Sequence, residues 1–213
     1  MRPRDVEHMP DTGENAVDRL ARAVALAGTP GAEYVERRGI PLAIADAAGV
    51  RFDPSFAGRA AVIVAMRDRD GGIASVHGRY LQVLRGQDKM LTVGRGGGAV
   101  AVQVGWRAEP LVLVEGMFDA LALATCGWSC VATIGRWAPW LVEVCAGRTV
   151  WLAFDAARSG ELEASRFRER LVGAEHRSLA PPGRSKDWST ALVRHGRATV
   201  SDWLRSHCGA PPR

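Results

Sequence analysis

The segment LVLVEGMFDALAL (residues 111–123) joins an apolar strand to an apolar helix through one glutamate and one glycine. Leu111 to Val114 is a continuous apolar run, as expected of a strand buried on both faces. Gly116 permits a tight turn, and MFDALALATCG reads as a helix that stops at a glycine. The same style repeats downstream. SCVATIG is a strand, PWLVEVCAG a helix, TVWLAFD a strand and ELEASRFRERLVG a helix. EHRSLAPPGRSKDWSTALVRHG adds a last strand, a loop and a helix, and TVSDWLRSHCG is a final amphipathic helix. Strands and helices alternating at this spacing imply a parallel sheet covered by helices, the α/β class.

Upstream the style differs and reads as an α+β part. AVDRLARAVALAG has apolar residues at helical spacing up to Gly28. GAEYVERRGIPLAIADAAGVRFD reads as two short helices broken at Gly39-Ile40-Pro41, with Val50-Arg51-Phe52 entering a strand. Ala60–Met66 and Ile73–Tyr80 are strands joined by the turn signal Asp70-Gly71-Gly72. DKMLTVGRGGGAVAVQVG continues in that manner, so residues 50–105 are expected to form one small antiparallel sheet. Residues 1–15 read as a polar, disordered tail, 16–106 as a helical and antiparallel N-terminal subdomain, and 107–213 as the helix-covered sheet with C-terminal helices.

The 213 residues are 47% hydrophobic and 24% charged, an ordinary globular balance. No apolar run reaches the roughly 18 residues of a membrane span, and the first segment lacks the apolar centre of a signal peptide, so a cytoplasmic location and no membrane partner are expected. Cys126, Cys130, Cys145 and Cys208 include no CxxC pair, which argues against zinc and for reduced, buried thiols. The formal net charge of +5 suits a polyanionic partner, although arginine richness alone has a compositional explanation.

Ligands of open α/β sheets gather at the carboxyl ends of the strands. Three such ends carry acids: Glu115, with Asp119 one helical turn on; Asp155, which closes VWLAFD; and Asp187, beside Lys186 in GRSKDWS. Each has a plain structural alternative, since Asp119 and Asp187 could cap helices. Three acids at equivalent strand ends point instead to a shared hard cation, Mg2+ or Mn2+, completed by phosphate oxygens.

LVLVEGMFDALAL, VWLAFDAARSGELEA and PPGRSKDWSTALVRHG together resemble a Toprim domain, the Rossmann-like magnesium-binding fold of bacterial primases, topoisomerases and some nucleases. YVERRGIPLAIADAAGVRF, MRDRDGGIASVHGRYL and DKMLTVG resemble the catalytic core of DnaG-type DNA primases. The resemblance covers about residues 30–205. It implies that Glu115 acts on the metal or as an acid/base and that Asp155 is the first metal aspartate, with Asp187 and Asp119 as further ligands. It implies that Arg79 and Lys89 contact template or nucleotide phosphates, helped by Arg37, Arg38 and Lys186. The implied chemistry is magnesium-dependent primer synthesis on single-stranded DNA from nucleoside triphosphates, a nucleotidyl transfer.

The departures bear on activity. The family's Asp-x-Asp-x-x-Gly reads here Asp155-Ala156-Ala157-Arg158-Ser159-Gly160, so Ala157 stands where a second carboxylate is expected. Three readings stay open: a degenerate site in a non-catalytic nucleic-acid-binding module, a site in which Asp187 or Asp119 compensates, or an inactivating substitution. A Toprim nuclease is a further alternative, against which the primase-like hairpin argues. The 213 residues show no zinc-binding or helicase module, which suggests a phage or mobile-element type with a replicative helicase or zinc-binding partner supplied separately. Of seven tryptophans, Trp151 and Trp203 read as core, and Trp137 and Trp140 are the candidates for base stacking.

Overall fold

The apolar runs and glycine turns of the sequence resolve, in a computed structural model that describes residues 16–209, into two sheets with helices packed between and outside them. The N-terminal part carries α1 (Ala16–Arg22), α2 (Pro30–Glu36) and α3 (Leu42–Ala47), then strands β1 (Arg51–Phe56), β2 (Arg59–Arg67), β3 (Ile73–Tyr80) and β4 (Met90–Gly94). The four strands form an antiparallel sheet in the order β1-β2-β3-β4. The second sheet has the order β5-β7-β6-β8-β9, built from β5 (Val100–Val102), β6 (Leu111–Val114), β7 (Cys130–Ala132), β8 (Thr149–Leu152) and β9 (Glu175–Ser178). Its helices are α4 (Met117–Thr125), α5 (Leu141–Cys145), α6 (Arg158–Arg170) and α7 (Trp188–Cys208). The chain is thus α/β with an α+β N-terminal part.

Three sequence expectations are corrected. The antiparallel sheet does not run to residue 105: β5 crosses over and pairs antiparallel with β7 of the second sheet. Glycines make that crossing possible. Gly94 (φ 117°) lies against the Ala74 carbonyl, and a Cβ on Gly98 would stand 2.9 Å from Ala74 Cβ and 3.0 Å from the Met66 backbone. Helix α1 ends at Arg22 rather than running to Gly28, because Val24 exchanges two 2.9 Å main-chain hydrogen bonds with Phe52 at the edge of β1. The second sheet is mixed, not wholly parallel; only its edge strand β5 runs against the others. The two expected C-terminal helices meet at Gly196, whose φ of 77° breaks α7. The tail expected over residues 1–15 lies outside the described residues.

Alternate residues of β6 serve two cores, as a strand covered on both faces must. Val112 and Val114 face a core that also holds Val62, Val64 and Met66 of β2, Ile40, and Trp188 and Leu192 of α7. Leu111 and Leu113 face Val131, Val150 and Leu152, under Leu141 of α5 and Phe167 of α6. The first core joins the two sheets and holds the carboxyl ends of β6 and β8 opposite β3 and β4.

Candidate active site

Glu115 directly follows β6, and Gly116 is the N-cap of α4. A Cβ on Gly116 would stand 2.6 Å from Asp119 Oδ2, so the glycine makes room for Asp119 to fold back beneath the turn. Asp119 is 7% exposed, and its Oδ1 accepts a 3.1 Å hydrogen bond from the Ser189 backbone N–H. It therefore ties the start of α7 to α4. Burial, then the charges of Asp155 and Asp187, push its carboxyl up to about 7.

Asp155 lies just beyond β8. The following residues are held close: Ala156 N–H donates to the Lys186 carbonyl at 2.8 Å. A methyl group on Gly160 would overlap the Asp155 carbonyl oxygen and stand 2.9 Å from the Asp155 nitrogen. The glycine is what lets α6 begin against the strand end. Ala157 is the N-cap of α6 and offers it no side-chain hydrogen bond. Asp187 caps α7, its Oδ1 accepting from Thr190 N–H at 2.7 Å. Below this loop Trp188, fully buried, donates from Nε1 to the Ala153 carbonyl at 2.8 Å.

The opposite wall comes from the antiparallel sheet. Period two places His77 and Arg79 of β3 on one face, with Thr92 and Met90 of β4 as their register partners. Between the walls is a cleft of about 290 Å³. Glu115, Asp119, Asp155 and Asp187 line it together with Arg38, Arg79, Lys89 and Lys186. Eight of the nine charged residues singled out from sequence thus share one cavity. Arg37 does not: it ion-pairs with Glu33 at 3.7 Å and borders a neighbouring groove with Arg38 and Arg194. Arg38 is fixed by a 2.9 Å hydrogen bond to Tyr34 Oη and lies 4.3 Å from the Phe118 ring centroid.

Charge is unevenly balanced across the cleft. Burial, then Asp155 and then Glu163, hold the Glu115 carboxyl above its ordinary range, against the pull of Lys89 and Lys186. Burial and then Asp187 do the same to Asp155. Glu115 Oε2 is buried with no hydrogen-bond partner. An unpaired buried carboxylate oxygen beside a second carboxylate fits a hard cation, whose charge would relieve both. Among the described residues no three His, Cys, Asp or Glu side chains form a ready cation cage. The fit is therefore to an ion held by the two carboxylates Glu115 and Asp155, with phosphate and water for the remainder, an arrangement common for magnesium.

Sequence reading passed over His77, Arg136 and Glu163. His77 had a visible signal, since it alternates with Arg79 along one strand. Arg136 and Glu163 do not line the cleft; they act on it only through their charges, Arg136 on His77 from the β7–α5 turn and Glu163 on Glu115 from α6. Trp137 and Trp140 serve packing rather than stacking on an open face. Trp140 Nε1 donates to the Gly97 carbonyl at 2.7 Å and its ring meets Trp106 edge-on, while Trp137 packs on Phe167 under Arg170. The four cysteines are free thiols.

Residues 112–192, from β6 into the start of α7, match the Toprim-like family model. Residues 10–100 match a domain of unknown function, DUF7146. No curated protein matches the sequence. The fold is that of DnaG-type primase catalytic cores. The Aquifex aeolicus primase fragment with zinc-binding and RNA polymerase domains superposes with a TM-score of 0.69 at 18% identity, over 90% of this chain and 60% of that one. The chain thus spans less than two thirds of that relative. A DnaG primase catalytic domain bound to ssDNA gives 0.67 at 17% identity, over 92% and 78% of the two chains. The RNA polymerase domain of Mycobacterium tuberculosis DnaG gives 0.67 at 17%, over 89% and 79%. Among the described residues no helix is long and apolar enough to cross a membrane.

Proposed function

We propose that this chain is a primase-type nucleotidyltransferase core that binds single-stranded DNA and nucleoside triphosphates and works with Mg2+ or Mn2+. The observation that carries the reading is the single cleft in which Arg38, Arg79, Lys89 and Lys186 face Glu115 and Asp155. Such a cleft suits a polyphosphate bound together with a cation. Glu115 and Asp155 would hold the ion. When bound, it supplies neutralisation of the triphosphate and activation of the attacking hydroxyl. The chain's own cations orient the phosphates, and Asp119 fixes the loop that presents Lys186. In this reading residues 16–106 form the basic wall and residues 107–213 the metal-binding half. The shared fold with a DnaG domain bound to ssDNA supports a template strand as partner.

A second reading has its own observation. Ala157 offers no side-chain oxygen, and one Asp187 oxygen is already committed to capping α7. That is the observation on which a non-catalytic nucleic-acid-binding module on the same fold would rest. Primer synthesis on single-stranded DNA with labelled nucleotides separates the two, comparing the chain with Ala157→Asp and Glu115→Gln. Products from the chain as it stands, lost in Glu115→Gln, support the transferase. Products from neither the chain nor Ala157→Asp, with DNA binding intact, establish the binding module.

A further inference from the structure

The loop between β9 and α7 brings Lys186 to the cleft, where its charge counters the raised carboxyls of Glu115 and Asp155. A lysine is a point charge on a long flexible stem, so its main chain decides what the ammonium can reach. On the carboxyl side that main chain is tied down, because the Lys186 carbonyl accepts from Ala156 N–H at 2.8 Å and Asp187 caps α7. On the amino side residues 182–185 form a tight turn. Ser185 N–H donates to the Pro182 carbonyl at 3.2 Å, and Gly183 (φ 63°) and Arg184 (φ 55°) are both left-handed, as in a type I′ turn. The Cβ of Arg184 disfavours that conformation, so the turn persists only where its surroundings hold it.

His195 supplies that support from outside the cleft. It lies two helical turns beyond Trp188 on α7, on the face that buries Trp188, Ala191 and Leu192. Gly196 breaks the helix directly after it, so His195 ends the straight segment that begins beside the cleft. A Cβ on Gly183 would overlap the imidazole, so the ring fills the space under the turn and only glycine fits above it. His195 Nε2 lies 3.2 Å from the Oγ of Ser185, the residue before Lys186, which is fully buried. A buried hydroxyl needs a partner, and a hydroxyl can either donate or accept, so this contact serves whichever nitrogen of the ring holds the proton.

We propose that His195 is a positioning residue for the cleft: through Ser185 and Gly183 it holds the turn that aims Lys186 at Glu115 and Asp155. It touches no ligand itself, and the role is the same whether the cleft catalyses or only binds. Lys89 and Lys186 are the only lysines in the sequence, and both line the cleft. Reductive methylation of the whole chain with isotope-labelled formaldehyde keeps their charge and gives each a separate dimethyl signal by nuclear magnetic resonance, assigned with Lys89→Arg. With His195 in place, the Lys186 signal is expected to shift when Glu115→Gln removes a facing carboxylate. In His195→Ala and in Ser185→Ala that shift is expected to be lost, while Lys89 keeps its own response. His195→Gln, whose amide can still bond Ser185 Oγ, is expected to retain the Lys186 shift. Circular dichroism is the folding control. A merely structural role lowers the melting temperature and leaves the Lys186 response intact, and that result overturns the proposal. So does a Lys186 signal that ignores Glu115→Gln with His195 in place, or an equal loss at both lysines, which marks a deformed cleft. A loss in His195→Ala that Ser185→Ala does not share overturns the route through Ser185. If His195→Ala does not fold, Ser185→Ala and His195→Gln decide: a Lys186 shift retained in Ser185→Ala, or lost in a folded His195→Gln, overturns the proposal.

Discussion

Glu115, Asp119 and Asp155 share one physical condition: each carboxyl is held above its ordinary range by burial first and by another acid second. A group whose folded value is raised stabilises the fold below its unfolded value and loses that contribution as pH rises through the folded one. For Asp119 the window runs from 3.8 to about 7. Asp119→Asn keeps the acceptor for Ser189 N–H and removes the charge. Without divalent cations it is expected to be more stable than the parent chain at pH 8 and similar near pH 4, as measured by urea denaturation. His77 has the opposite sign. Its folded value is depressed from 6.5 to about 4, so stability is lost as pH falls through that window, and His77→Phe is expected to flatten that acid-side loss. Ala157 separates capping from metal binding. Ala157→Ser is expected to stabilise α6 by about 1 kcal/mol through its hydroxyl cap, with no response to Mg2+. Ala157→Asp is expected to add a Mg2+-dependent rise in melting temperature, read by thermal shift. An equal response in both variants would show that position 157 does not control the ion.

At the scale of elements, the turn after β8 depends on one missing methyl group. Gly160→Ala forces a Cβ into the Asp155 backbone, so it is expected to cost about 2–3 kcal/mol, the cost of overpacking, and to displace the start of α6. Chemical denaturation checks the loss, and the Mg2+ response checks the displacement. The sequence displayed most of these elements. The hairpin β2–β3, the helices α2 and α3 parted at Gly39–Pro41, and the strand–acid–helix units from β6 onward all follow from period and turn residues. It did not display that Val100–Val102 leaves the first sheet, because a short apolar strand pairs equally well with either sheet's edge. Nor did it show that Val24 stops being helical, because apolar spacing continues through the residue that bridges to Phe52.

At the scale of the molecule, the two sheets share a core. Val62, Val64 and Met66 pack in one cluster with Val112, Val114 and Trp188, so neither sheet can lose its packing alone. All seven tryptophans lie between Trp106 and Trp203, outside the antiparallel sheet. Tryptophan fluorescence therefore reports the Toprim-like half, while far-ultraviolet dichroism reports both. The two signals are expected to coincide through one cooperative urea transition. Two separated transitions would show that the halves unfold independently.

The sequence by itself determined the alternating strands and helices and the acids at their carboxyl ends. It also determined the absent carboxylate at Ala157, since these depend on local period and on residue identity. Only the tertiary structure decided what those residues face. The β3–β4 wall brings Arg79, Lys89 and His77 against Glu115 and Asp155 from distant parts of the chain. It also decided that Asp119 is anchored to Ser189 and that Arg37 turns away. The reason is physical: a side chain's charge state and partners are set by burial and by neighbours remote in sequence, which no local pattern encodes.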